Sequence, residues 1–204
     1  KNPMLRIEAI KKEKVKKEAF TELEIEKMRA ALRTNRERAI FEILLSTGCR
    51  VSELVNVKLK EITGNEVLVH GKGQKDRTVY LNAKALYALE SYLNERNDAN
   101  PYLFASGFFN MHRKRKGISQ QKAREWYMRK SEVSEDKPIS TGAIESNIRK
   151  LGQRVGVKAY PHKFRRTCAT FALRRGMSIE QVSQMLGHES IETTQIYLDI
   201  SEQD

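Results

Sequence analysis

The chain has 204 residues, of which 39% are hydrophobic, and this is enough for one substantial core. Its 38 lysine and arginine residues exceed its 26 acidic residues, and the net charge of +12 favours a polyanionic partner. The sequence has no apolar run long enough for a membrane span and no signal-peptide segment at its start, so a soluble protein is expected. Cys49 and Cys168 form no CxxC pattern, which favours a reducing compartment and gives no support for a disulfide.

The N-terminal 19 residues are rich in lysine and contain Pro3, which predicts a basic linker between domains. Thr21 and Glu24 have the spacing of a capping box and predict the start of a first helix. Helical spacing of apolar residues, with glycines at several ends, predicts the later helices: about 36–46 before Gly48, one from Arg50, then 83–97, 141–155, 163–175, 178–186 and a short one after Ser190.

Two β-branched runs interrupt the helical pattern. Residues 66–70 and 77–81 flank the glycine-containing segment 71–76, which predicts a β-hairpin with Lys72 at its tip. Residues 107–137 lose the periodicity and carry many lysines and arginines, which predicts an insertion with a basic face. The expected fold class is α+β, mainly α-helical, with a small antiparallel hairpin or sheet.

Several charged residues lie at predicted helix starts, where unpaired N–H groups favour a phosphate. In the segment Pro161-His-Lys-Phe-Arg-Arg166, His162 and Arg165 are three residues apart and share a helix face. A surface histidine beside a structural arginine explains this segment about as well. Arg50 and Glu53 are an ordinary intrahelical pair when taken alone. Lys72, between two glycines, is by itself typical of a solvated turn lysine.

The segment Leu186-Gly-His-Glu-Ser-Ile-Glu-Thr-Thr-Gln-Ile-Tyr197 is the most specific stretch of the chain. His188 follows a helix-ending glycine, and Tyr197 lies nine residues later on a short polar helix. His188-Glu189 begins like the zinc motif HExxH, but no histidine follows at the required spacing. We therefore predict no metal site.

Taken together, these motifs resemble the tyrosine recombinase family, also called the phage integrase family, over residues 20–200. Arg50 in Thr-Gly-Cys-Arg-Val-Ser-Glu-Leu resembles the family's first catalytic arginine, with Glu53 as its acidic partner. The remaining matches are the hairpin lysine Lys72, the HxxR pair His162 and Arg165, the LGH histidine His188 and the nucleophile Tyr197. The resemblance implies a catalytic domain over residues 20–204 that lacks the family's N-terminal core-binding domain.

The resemblance implies that Tyr197 attacks a DNA phosphate and forms a 3′-phosphotyrosyl intermediate without metal or cofactor. Arg50, Arg165 and His188 would bind the phosphate, Lys72 would act as general acid, and His162 as base or proton relay. The implied partners are double-stranded DNA and further copies of the chain, a dimer on each site and a tetramer at a Holliday junction, and accessory directionality factors are possible partners. No membrane partner is expected, and the expected location is the cytoplasm, with the nucleoid of a bacterial-type cell.

Further basic residues are expected to contact DNA: Arg113, Lys114, Arg115, Lys116, Lys75, Arg77, Lys163 and Arg166. The basic insertion favours an integrase of a mobile element. The alternatives are a Xer-like chromosome-dimer resolvase and a type IB topoisomerase, which rejoins the same strand. A noncatalytic basic DNA-binding module is the alternative from a different class.

Overall fold

The computed structural model describes residues 18–71, 73, 75–106, 136–188 and 190–201. These residues form eight α-helices and a small antiparallel sheet, which confirms the expected fold class. The elements in chain order are α1 Glu22–Ala30, α2 Asn35–Thr47, α3 Val51–Asn56, β1 Ile62–Thr63, β2 Glu66–His70, β3 Asp76–Tyr80, α4 Ala83–Glu95, α5 Thr141–Arg154, α6 Pro161–Arg174, α7 Ile179–Leu186 and α8 Glu192–Ser201.

Some predictions fall on parts of the chain outside the described residues. These are most of the predicted linker, the hairpin lysine Lys72, and the greater part of the basic insertion with Arg113, Lys114, Arg115 and Lys116. Within the described ranges, none of the helices is long and apolar enough to cross a membrane.

Local sequence chemistry fixes where the helices begin and end. The Thr21 hydroxyl accepts from the Glu24 backbone N–H, and the Glu24 carboxylate accepts from the Thr21 backbone N–H, so the predicted capping box is confirmed. The glycines predicted to end α2 and α7 adopt left-handed conformations, with φ of 60° at Gly48 and 68° at Gly187. Both helices therefore stop at defined residues and leave their last carbonyls available.

Helix α2 lies at the centre of the domain and packs against α4 on one side and α6 on the other. Its Phe41, Ile43 and Leu44 are buried, and Phe164 of α6 meets Phe41 edge-to-face at 5.2 Å between ring centroids. This packing fixes the first residues of α6, and with them Arg165, against the C-terminal half of α2.

The sheet has the order β1-β2-β3, with antiparallel pairing throughout. Val67, Val69 and Val79 point into the core, while their neighbours in the strands are more exposed, as the alternating pattern predicts. The strand β1 was not predicted because two residues are too few to show a periodic pattern. The hairpin of β2 and β3 carries Arg77 on the side facing α3 and α7.

Candidate active site

The C-terminal end of α7 collects arginine side chains from three other parts of the fold. Arg77 donates to the carbonyl of Met185, Arg165 to that of Leu186, and Arg50 to that of Gly187. The last carbonyls of a helix have no partner within the helix and carry the negative end of its dipole. Positively charged guanidinium groups are favourable donors to these carbonyls, and three of them therefore lie together at this helix end.

Arg165 joins two helix ends. Its Nη1 donates to the carbonyl of Gly48 at the end of α2, and its Nη2 donates to Leu186, both at 2.8 Å. The side chain is buried. Burial, followed by the nearby charge of Arg50, lowers the pKa of Arg165, while the proximity of Tyr197 and Glu53 acts in the opposite direction. The guanidinium thus sits in a poorly solvated place where its charge is weakly screened.

Gly48 is needed for both its conformation and its size. Its φ of 60° lies in the left-handed region, and a Cβ there would lie 2.8 Å from Cδ2 of Leu186 and 3.2 Å from Sγ of Cys168. The absence of a side chain lets the end of α7 approach the end of α2. This close approach brings the two carbonyls within reach of the single Arg165.

Glu53 is a buried carboxylate between two arginines. It accepts from the backbone N–H of Arg50 at 2.8 Å, from Nη1 of Arg50 at 2.9 Å, and from both Nη atoms of Arg77 at 2.9 and 2.8 Å. Burial alone would raise the pKa of Glu53, but the hydrogen bonds from Arg77 and from the Arg50 backbone hold that pKa below its ordinary value. One negative charge therefore compensates the two guanidinium groups of Arg50 and Arg77, and with Arg165 nearby the site keeps an excess of positive charge.

His188 directly follows the glycine that ends α7. Burial, followed by the charges of Arg165, Arg50 and Arg77, lowers the pKa of His188 to about 4, so the imidazole is neutral at pH 7. Its Nδ1 lies 2.7 Å from Oγ1 of the buried Thr194 in α8. If Thr194 donates to Nδ1, the single imidazole proton is on Nε2, where it can donate to an anion.

Tyr197 lies on α8 beside the same helix end. Its half-buried side chain packs against the cluster of Ala169, Val182 and Leu186, and its ring centroid lies 5.9 Å from that of His188. Helix α8 packs on α6 and α7 within the one chain. The fold therefore brings a phenol, an imidazole and the guanidinium groups of Arg50 and Arg165 to one place, a combination suited to binding a phosphate and attacking it.

Comparisons with known proteins agree with this arrangement. The family described as "Phage integrase family" matches residues 18–204. The chain belongs to the phage integrase family. It is 31% identical over 200 residues to the tyrosine recombinase XerA of Pyrococcus horikoshii, covering 95% of this chain and 62% of that protein. It is 35% identical over 174 residues to XerC of Leptospira interrogans, covering 82% of this chain and 48% of that protein.

Among solved structures, a crystal structure of XerA recombinase superposes with a TM-score of 0.69 at 32% identity, covering 88% of this chain and 59% of the XerA chain. The predicted membership in the tyrosine recombinase family and the predicted catalytic-domain fold are both confirmed. The chain spans between about half and two thirds of the length of these relatives.

Three of the remaining predicted site residues are exposed or lie outside the described residues. His162 is exposed in the first turn of α6, one turn before Arg165. Lys75 is exposed beside the hairpin tip. Lys72 lies outside the described residues. The catalytic roles that the family resemblance implies for His162 and Lys72, and the DNA contact expected of Lys75, stay predictions.

Three of the residues that were expected to contact DNA are buried or largely covered in this structure, and their DNA contacts stay predictions. Lys163 is buried, bonds Glu24 at 3.2 Å and lies 4.5 Å over the ring of Phe20. Arg166 is also buried, donating to Tyr160 and to the carbonyl of Glu18. Both side chains anchor residues 18–20 onto α6.

Arg77 is the third of these residues. Its guanidinium is held by Glu53 and Met185 with only 14% of the side chain exposed, so this conformation does not offer it to DNA.

Thr194 was not singled out from the sequence. The sequence shows only that Thr194 is a small β-branched residue with a hydroxyl group, six positions after His188 in a short polar helix. The neighbouring Thr193 is the same kind of residue but is exposed, whereas Thr194 is fully buried. The two threonines differ only in the face of α8 that they occupy, which becomes evident once α8 packs on α6.

Proposed function

We propose that this chain is the catalytic domain of a site-specific tyrosine recombinase, which cleaves and rejoins DNA strands through a 3′-phosphotyrosyl intermediate. The observation that carries the proposal is the convergence of Arg50, Arg165, His188 and Tyr197 at the C-terminal end of α7. Membership in the phage integrase family supports the same chemistry.

In the proposed reaction, Oη of Tyr197 attacks the scissile phosphorus and the bond from phosphorus to the 5′-oxygen breaks. The phenol proton passes to a base, for which His162 is the candidate, and the departing 5′-oxygen takes a proton from Lys72. The phosphodiester is exchanged for a phosphotyrosyl ester, so the bond energy is kept. Attack by a free 5′-hydroxyl reverses the step and rejoins the strand without a nucleotide cofactor.

The developing charge on the nonbridging oxygens needs donors that are already in position. Arg50 is 40% exposed while still tied to Glu53, so its remaining N–H groups are available to a bound phosphate. Arg165 and the neutral His188 supply further donors in a poorly solvated setting. Removing one such donor costs on the order of 100 to 1000-fold in rate.

The test is covalent trapping on nicked duplex oligonucleotides with a randomised core, in which the short cleaved piece diffuses away and blocks rejoining. The wild-type chain is expected to give a DNA adduct that survives denaturation, and Tyr197→Phe is expected to give none. Tyr87→Phe, which changes a tyrosine exposed by 70% on α4, is the matched control and should retain the adduct. A noncatalytic DNA-binding module would give no adduct with any variant.

The finer function is also a proposal. The curated relatives carry the names XerA and XerC, which favours Xer-type resolution of chromosome dimers over the mobile-element interpretation drawn from the basic insertion. Such a protein would act as a dimer on each DNA site and as a tetramer at a Holliday junction. Sequencing the DNA from the adduct tests this, because one recurring palindromic site fits a resolvase. Relaxation of a supercoiled plasmid without that site would favour a type IB topoisomerase.

A further inference from the structure

Arg77 connects the hairpin to two parts of the candidate site, Glu53 and the end of α7. It lies on β3, donates through both Nη atoms to Glu53, and donates through Nε to the carbonyl of Met185 at 3.1 Å. Its side chain is only 14% exposed. All three nitrogens of the guanidinium therefore donate to groups of the protein itself, and these bonds have two consequences for the candidate site.

The first consequence concerns Arg50. Arg77 bonds both oxygens of Glu53, so Arg50 keeps only one side-chain hydrogen bond to that carboxylate. Without Arg77, each oxygen of this buried carboxylate would lose one of its two donors and keep only one group of Arg50, and the nearest cation able to replace the lost bonds is Arg50 itself. Arg77 therefore keeps Arg50 from folding back fully onto Glu53 and leaves it directed outward.

The second consequence concerns the turn that carries His188. A Cβ on Gly187 would lie 3.0 Å from Nη1 and 3.2 Å from Cζ of Arg77, so the guanidinium packs closely against this glycine. The bond from Nε to the Met185 carbonyl ties the same guanidinium to the last turn of α7, two residues before Gly187. Arg77 thus fixes the backbone immediately before His188, although it is far from this turn in sequence, 108 positions before Met185.

We infer that Arg77 is a positioning residue, which sets the direction of Arg50 through Glu53 and the place of His188 through the turn at Gly187. This inference rests on the proposed recombinase function for its kinetic consequence. The geometric part stands without it, because it concerns only the protein's own groups. A planar guanidinium is required, since an ammonium group cannot bond two carboxylate oxygens and a carbonyl in one plane.

The kinetic test compares Arg77→Lys and Arg77→Gln with the wild type on the nicked duplex whose sequence the wild type traps. Both variants should form the adduct more slowly at saturating DNA, by about 10 to 100-fold, the cost of displacing a reacting group by about 1 Å. The dissociation constant for that duplex should stay within about twofold, since the Arg77 side chain is held by Glu53 and Met185 and is only 14% exposed.

Arg29→Gln is the matched control, because Arg29 makes the same kind of two-atom pair with the buried Glu42 away from the candidate site. It should lower the thermal midpoint as Arg77→Gln does while leaving the adduct rate unchanged. In an Arg50→Lys background, Arg77→Lys should slow the rate by a smaller factor than it does alone, because the part of its effect that acts through Arg50 is already lost and only the part through His188 remains. Multiplied losses, or weaker DNA binding at an unchanged rate, would overturn the inference.

A titration of His188 by NMR tests the positioning without DNA. Arg77→Lys keeps the positive charge, so a rise of the His188 pKa from about 4 toward its ordinary value would report a loosened and better hydrated turn. An unchanged His188 pKa in Arg77→Lys would overturn the inference, whatever the kinetics. Failure of the wild type to form any adduct would instead reject the proposed function and leave this titration as the deciding result.

Discussion

Replacing Glu53 by glutamine keeps the shape of the side chain and removes the negative charge that Arg50 and Arg77 share. The carboxylate accepts four hydrogen bonds, two from each arginine. Glutamine keeps one acceptor oxygen and turns an NH₂ group toward donors, so about half of these bonds become donor-to-donor contacts. Two guanidinium groups are then left close together without compensation.

The expected loss of stability follows from burial. Glu53 is 4% exposed and its partner Arg77 is 14% exposed, so this is a buried pair with one partner removed. Such a change costs about 3–5 kcal/mol. Two lost charged hydrogen bonds at about 1.5–3 kcal/mol each give a similar range. We expect the low end, about 3 kcal/mol, because Arg50 is 40% exposed and water can compensate its charge.

The difference in stability between wild type and Glu53→Gln depends on pH in a defined direction. The folded-state pKa of Glu53 is held below the ordinary value by Arg77 and Arg50 in spite of burial, so folding favours the ionised carboxylate. That stability is present in full above the unfolded pKa of a glutamate, about 4.3, and is lost as pH falls through the lower folded-state pKa. Glutamine does not titrate, so the two unfolding curves should converge at low pH.

Urea unfolding of the two proteins between pH 3 and pH 8 measures this, with Glu42→Gln as control. Glu42 and its partner Arg29 are 5% and 17% exposed, close to the values of the Glu53 pair, so the control should lose a similar amount of stability. Only Glu53→Gln should also slow adduct formation, by 10-fold or more. Equal adduct rates in the two variants, or a stability difference that grows toward low pH, would refute the reasoning.

The other predictions concern one helix end and one hydrogen bond. Gly48→Ala should lower the free energy of unfolding in urea by about 3 kcal/mol, because of left-handed backbone strain and overpacking. Gly64→Ala, at a φ of 58° with no atom near its Cβ, should lower it by only about 1 kcal/mol. Equal losses in the two variants would contradict the packing argument. Thr194→Val should slow adduct formation about 10-fold, since one hydrogen bond of about 1.4 kcal/mol to His188 is lost, while Thr193→Val should not. A slower Thr193→Val would contradict the assigned role of Thr194.

The helix boundaries were predictable because their causes are local. The capping box at Thr21 and the glycines that end α2 and α7 act through neighbouring backbone groups, and each is confirmed. The strand β1 was not predictable, since its two residues are defined only by pairing with β2.

The candidate site could be predicted in its family positions but not in its supporting contacts. Basic residues that point outward cannot be distinguished by charge from those that pair inside. Lys163 finds Glu24 at a separation of 139 positions, and Arg77 finds Glu53 at a separation of 24. Such partners become neighbours only when the start of α6 meets α1 and the hairpin packs on α3. In this structure both side chains are held in internal pairs, and their expected DNA contacts stay predictions.

We propose Tyr197 as the residue that becomes covalently joined to DNA. Trypsin digestion of the covalent adduct, followed by nuclease treatment and mass spectrometry, tests it directly, because the C-terminal tryptic peptide, residues 176–204, contains a single tyrosine. We expect this peptide to carry a 3′-linked nucleotide on Tyr197. A nucleotide on any other residue, or an adduct of the same yield from Tyr197→Phe, would contradict it.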